Sequence, residues 1–152
     1  MDTPLDVNGR PYHRGLVVAT MLIGTFTTFI TQTILTTAFP TLMTSFHITA
    51  SAVQWLTTGF MLVMGIMIPV SAWLLSKFNV KHLYICAMSI FFAGTVLSYL
   101  AWSFPVLLAG RLIEAVGVGM SAPTFQNVMY TIFPPEKRGS AMGLAGIVIG
   151  LA

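Results

Sequence analysis

Residues 15–76 read GLVVATMLIGTFTTFITQTILTTAFPTLMTSFHITASAVQWLTTGFMLVMGIMIPVSAWLLS, and none of these 62 residues is Asp, Glu, Lys or Arg. A bilayer core is about 30 Å thick and takes about 20 helical residues to cross. The run is too long for one crossing and suits two joined by a turn. The turn falls where Pro40 ends the first apolar stretch and His47-Ile48-Thr49-Ala50 precedes the second. Ser51-Ala52-Val53-Gln54 reads as a capping box, which starts the second helix near Ala52. The first segment is too long for a signal-peptide core and carries no convincing cleavage site, so it is read as a retained helix.

The same pattern continues toward the C-terminus. His82 to Gly110 is again uncharged and longer than one crossing, with a break at Trp102-Ser103-Phe104-Pro105. Pro105 suits a first helical turn. Ala115 to Pro135 is uncharged, and after Glu136-Lys137-Arg138 the chain turns apolar to Ala152. The expectation is an all-α membrane protein with four full transmembrane helices at about 16–39, 52–75, 82–101 and 105–132. A fifth begins near 139, and its 14 residues to Ala152 span about 21 Å, short of a crossing. The sequence therefore reads as stopping inside a helix.

Composition supports this. The 152 residues are 56% hydrophobic and 7% charged, against roughly 25% charged in soluble domains. A soluble surface needs ionic side chains, and disorder needs low hydrophobicity and high charge; both classes are excluded. Seven basic residues and a net charge of +3 make no nucleic-acid patch. One cysteine, Cys86, allows no internal disulfide and reads as a small buried apolar residue. No Cys/His cluster has metal-ligand spacing, so no metal or cofactor is implied.

The basic residues orient the chain. Arg10 and Arg14 precede the first helix, Lys77 and Lys81 lie between the second and third, and Lys137 and Arg138 lie between the fourth and fifth. Six of the seven fall on one side, which the positive-inside rule makes cytoplasmic. Residues 1–14 are then a cytoplasmic tail and 15–152 a transmembrane domain. Trp73 and Trp102 sit near opposite interfaces, as aromatic belts do.

The seventh basic residue, Arg111, falls about six residues into the fourth helix, with Glu114 one turn deeper. Spacing i,i+3 puts both on one face, close enough to pair. A charge at the bilayer centre costs about 2.5–3.5 kcal/mol on insertion scales, so the pair has to neutralise itself or face a cavity. Two readings stand: a structural ion pair, or a proton or ion relay.

Gly110, Glu114, Gly117 and Ser121 form a stripe at helical spacing, and Gly119 adds another small residue. Such residues let a neighbouring backbone approach, and close packing explains them better than a ligand. Pro123 interrupts the ladder of the fourth helix. In the first helix Thr25, Thr28, Gln32 and Thr36 share a face, either as glue between helices or as the lining of a pathway. Threonine hydroxyls bond their own i−4 carbonyls readily, whereas Gln32 calls for protein or water. Met61, Met64 and Met67 suit lipid or core packing better than an adaptable binding surface. His47 and His82 read as interface residues.

The chain resembles the N-terminal part of major facilitator superfamily transporters, most closely the fourteen-helix drug:proton antiporters. Thr31-Gln32-Thr33-Ile34-Leu35-Thr36-Thr37-Ala38-Phe39-Pro40 is similar to the family's first-helix motif Asp-x-Thr-x-x-Asn-x-Ala-Leu-Pro. Gln54 to Phe60 is similar to its second-helix start. Ala72 to Lys81 occupies the place of the 2–3 loop motif Gly-x-Leu-Ala-Asp-Arg-x-Gly-Arg-Lys. Arg111 to Gly117 matches the fourth-helix motif Arg-x-x-Gln-Gly-x-Gly, and Phe133 to Gly143 resembles the 4–5 loop. There are departures. The acidic and asparagine positions of the first helix are Thr31 and Thr36, the loop motif has Ala72, Ser76 and Asn79, and Glu114 stands where glutamine is usual. The antiporter motif of the fifth helix would start between Gly139 and Gly150, and the chain ends before its proline.

The resemblance implies proton-driven efflux of drugs or similar amphipathic molecules by alternating access, in a bacterial cell membrane and without enzymatic chemistry. It implies proton coupling by Arg111 and Glu114 and a cavity lined by Thr28, Gln32 and Thr36. It implies a cytoplasmic gate loop of Ser76, Lys77, Asn79 and Lys81, and helix packing through Gly110, Gly117, Gly119, Gly143, Gly146 and Gly150. The implied partners are a small-molecule substrate, protons, the lipid bilayer and the remaining helices of a longer transporter. A solute:proton symporter and a non-transporting four-helix membrane subunit are the alternatives.

Overall fold

The structure is a computed structural model and describes residues 13–133 and 135–150. The cytoplasmic tail expected at 1–14 therefore lies almost wholly outside the described residues, as does Ala152. Five α-helices follow in order: α1 Arg14–Phe46, α2 Ala50–Leu75, α3 Val80–Tyr99, α4 Phe104–Ile132 and α5 Pro135–Gly150. There is no strand among the described residues. The first four helices are long and apolar enough to cross a membrane.

α1 does not stop at Pro40. It runs to Phe46 with Pro40 inside it. Proline removes one helical hydrogen bond, at a cost of about 3 kcal/mol in a helix interior. The added turns offset this by packing Leu42, Met43 and Phe46 against buried Val53 and Leu56 of α2 and Leu107 of α4. The helix ends instead at His47, which is left-handed with φ 51°. The His47 and Ile48 N–H groups both donate to the Met43 carbonyl, closing a Schellman turn. α2 begins two residues before the expected Ala52. Thr49, and not Ser51, is its N-cap, and its hydroxyl accepts from the Ala52 N–H at 3.3 Å. α3 runs 80–99 where 82–101 was expected, and α5 starts at Pro135, four residues before 139.

The run of threonines from Thr20 to Thr37 in α1 is satisfied within its own helix. Every threonine from Thr20 to Thr37 donates its hydroxyl to a carbonyl three or four residues back. Polar side chains thus cross an apolar medium without needing another helix.

α4 is the centre of the bundle. It packs chiefly on α3 and α2, and more lightly on α1 and α5. Glycines set the closest approaches. A Cβ at Gly117 would lie 2.6 Å from the Ala87 carbonyl oxygen of α3, and one at Gly119 would lie 2.6 Å from Met67 Cβ of α2. Met64 and Met67 accordingly pack on α4, while Met61 is exposed. Fully buried Ser71 of α2 donates to the Met120 carbonyl at 2.9 Å, linking α2 to α4 next to Pro123. Cys86, expected to be buried, is exposed on the outer side of α3. Exposure there suits a lipid-facing position, because a thiol behaves as a small apolar group.

Candidate functional site

Two charged side chains sit in the middle of this packing. Arg111 is 2% exposed and Glu114 1% exposed. Arg111 Nη1 donates to Glu114 Oε2, forming an ion pair along one face of α4. Burial of a charge is tolerated only when it is paired and hydrogen-bonded, and here the partners come from every other membrane-length helix. From α1, Gln32 Oε1 accepts from Arg111 Nη2. From α2, the buried Phe60 ring lies under the guanidinium, 4.7 Å from Cζ to the ring centroid. From α3, the Ser98 hydroxyl donates to Glu114 Oε1 at 3.2 Å. Arg111 Nε is also buried and has no partner among the described residues.

Ser98 reaches Glu114 because α3 and α4 meet at glycines. A Cβ at Gly94 would lie 2.6 Å from the Glu114 nitrogen, and one at Gly110 would lie 2.9 Å from the Ser98 nitrogen. Gly110 and Gly117 are therefore contact residues against α3, and Gly119 against α2. Among the described residues, a Cβ at Gly143, Gly146 or Gly150 of α5 meets nothing within 4 Å.

The three α1 residues differ in placement. Thr28 is buried, with its hydroxyl on the Thr25 carbonyl. Gln32 is half-buried and joined to Arg111. Thr36 is exposed and bonded to the Thr33 carbonyl, away from the charged pair. Ser76, Lys77, Asn79 and Lys81 cluster at the α2–α3 turn, all exposed. Ser76 caps α2 through its hydroxyl on the Trp73 carbonyl at 2.7 Å. Neither lysine forms an ion pair among the described residues.

Gly94, Ser98 and Phe60 were not singled out from the sequence. A signal for the first two was present: Ala87, Phe91, Gly94 and Ser98 recur at helical spacing on α3, and three of the four are small. Arg138 is a further finding. Its guanidinium donates to the Phe133 carbonyl at 3.0 Å and the Tyr130 carbonyl at 2.6 Å and lies over the Tyr130 ring. It thereby satisfies carbonyls at the α4 C-terminus, where a cation is favoured.

Chemically the site holds one group that can take or release a proton, Glu114, against one fixed cation, with neutral partners around them. The chain as a whole is similar to proteins named as transporters. The chain is 49% identical over 146 residues to an uncharacterized MFS-type transporter of Bacillus subtilis, YcnB, covering 96% of this chain and 31% of that protein. It is 42% identical over 136 residues to the lincomycin resistance protein LmrB of the same organism, covering 90% and 28%. It is 29% identical over 136 residues to the riboflavin transporter RibZ of Clostridioides difficile, covering 90% and 30%. The chain thus spans about three-tenths of the length of these relatives. The family model described as Major Facilitator Superfamily matches residues 21–152. That match takes in all of α2, α3 and α4 and most of α1, and the chain belongs to the Major Facilitator Superfamily of membrane transporters.

Proposed function

We propose that the chain supplies the N-terminal helices of a proton-coupled exporter of drugs or other amphipathic small molecules. The observation that carries this reading is the buried Arg111–Glu114 pair, held by one residue from each of α1, α2 and α3. Intramembrane ionisable groups of this kind mark ion and proton pathways. The relative named for lincomycin resistance supports the export of drugs.

In this reading Arg111 and Glu114 couple protons to transport. Thr28, Gln32 and Thr36 line the central cavity near the bilayer midplane, where such folds bind substrate. Ser76, Lys77, Asn79 and Lys81 belong to the inner gate. Residues 1–14 lie in the cytoplasm, and residues 15–152 are embedded in a bacterial cell membrane. Gly143, Gly146 and Gly150 pack against helices of the longer protein. When Glu114 is ionised it holds Arg111 on α4. Protonation weakens that hold and leaves the guanidinium to Gln32, which shifts the balance of contacts between α1 and α4.

The test uses the full-length protein that carries this chain, expressed in a drug-sensitive bacterium. Lincomycin accumulation should fall, and collapsing the proton gradient should restore it. Unchanged accumulation would overturn the drug assignment. Uptake of riboflavin, the molecule for which the relative RibZ is named as a transporter, in place of export would favour a second reading, solute import.

A further inference from the structure

We propose that Glu114 determines the charge class of the molecules admitted, by cancelling the Arg111 charge and leaving the part of the site that these helices supply electrically neutral. This rests on the export reading, because it assumes that substrate binds beside Gln32. No other Asp, Glu, Lys or Arg occurs from Gly15 to Ser76 or from His82 to Pro135. The pair therefore contains every formal charge at membrane depth in those segments. Its neighbours Gln32, Phe60 and Ser98 carry none. Both members are almost fully buried, so solvent does not screen them.

Neutrality matters because the field of an unbalanced charge reaches well beyond contact distance. At about 10 Å and an effective dielectric near 20, a unit charge alters the binding of a monovalent ligand by more than about tenfold. Gln32 is half-buried and accepts directly from Arg111, so a molecule against Gln32 lies within that range. Glu114 thus lets cations and neutral amphiphiles bind on equal electrostatic terms. Without it, Arg111 would repel cations and attract anions.

The experiment measures equilibrium binding of three probes to the full-length protein in lipid nanodiscs. They are tetraphenylphosphonium as the cation, N-phenylnaphthylamine as the neutral molecule and anilinonaphthalene sulfonate as its anionic analogue. Glu114→Gln should weaken the cation relative to the neutral probe by about tenfold and strengthen the anion by a similar factor. Arg111→Gln leaves the opposite charge and should shift both ratios the other way, which covers a Glu114 variant that fails to fold. The double variant Arg111→Gln/Glu114→Gln is neutral again and should return both ratios to near the wild-type values. Single variants that change all three probes alike, a double variant that keeps a single variant's ratios, or a wild type that binds none of the probes would each overturn the proposal. Binding is read without a proton gradient. A protein that shows the ratio shifts but no gradient-driven lincomycin export would refute the export reading and leave the charge assignment standing.

Discussion

Gly94 of α3 lies against Glu114 of α4 so closely that a Cβ would come within 2.6 Å of the Glu114 nitrogen and 2.8 Å of its Cγ. Gly94→Ala should therefore push the two helices apart and draw Ser98 away from the carboxylate. Overpacking of this kind costs about 1–3 kcal/mol. Gly65 of α2 is the control, since nothing lies within 4 Å of a Cβ there. Alanine at Gly65 should hold or raise stability by about 0.5–1 kcal/mol. Thermal unfolding of the detergent-solubilised full-length protein checks both, and equal Tm changes would refute the close contact.

Arg111→Ala strands Glu114 in a buried site, leaving its charge with neutral hydroxyls such as that of Ser98. Breaking a buried pair on one side costs about 3–5 kcal/mol, so expression should fall. Removing both charges, as in Arg111→Ala/Glu114→Ala, should recover much of that expression but no export. Arg111→Lys should also fail to export, because one ammonium cannot reproduce a planar fork that serves Glu114 and Gln32 together. Wild-type efflux from a normally expressed Arg111→Ala protein would sink the coupling assignment.

His47 adopts a left-handed conformation that disfavours residues with a Cβ by roughly 1–2 kcal/mol. His47→Gly should raise stability by about 1 kcal/mol while preserving the Schellman turn. A lower Tm for His47→Gly would show that the imidazole makes a contact worth more than the strain.

Topology can be read by cysteine labelling. Native Cys86 is exposed and must first be replaced by alanine. In that background, cysteines at Ser45 and Ser103 should react with an impermeant maleimide from outside intact cells, and one at Asn79 should not. Labelling of Asn79→Cys from outside would reverse the proposed orientation.

The helix count was legible because charge is absent over whole crossings, and composition alone fixes the solvent. Helix ends were less so. Pro40 is a genuine local breaker, and only the burial of Leu42, Met43 and Phe46 on two other helices shows why α1 continues. The meeting of Arg111 and Glu114 follows from spacing within one helix. Their partners Gln32, Phe60 and Ser98 do not, because which faces oppose each other is a property of packing between helices. Cys86 misled for the same reason: in lipid, apolar character does not say whether a residue faces inward.

Among the described residues, α1 makes a single side-chain hydrogen bond to another helix, the one that Gln32 accepts from Arg111. Its threonine hydroxyls from Thr20 to Thr37 are all turned back on their own backbone, and Met21, Leu35 and Phe39 pack in apolar clusters. α3 and α4, in contrast, are locked at Gly94, Gly110 and Gly117 with no room to slide. α1 is therefore held to the bundle by apolar packing and one polar catch. Another close polar neighbour of α1 is the buried Tyr84 hydroxyl of α3, packed against Gly24, and the group that holds the catch is the same guanidinium that Glu114 holds.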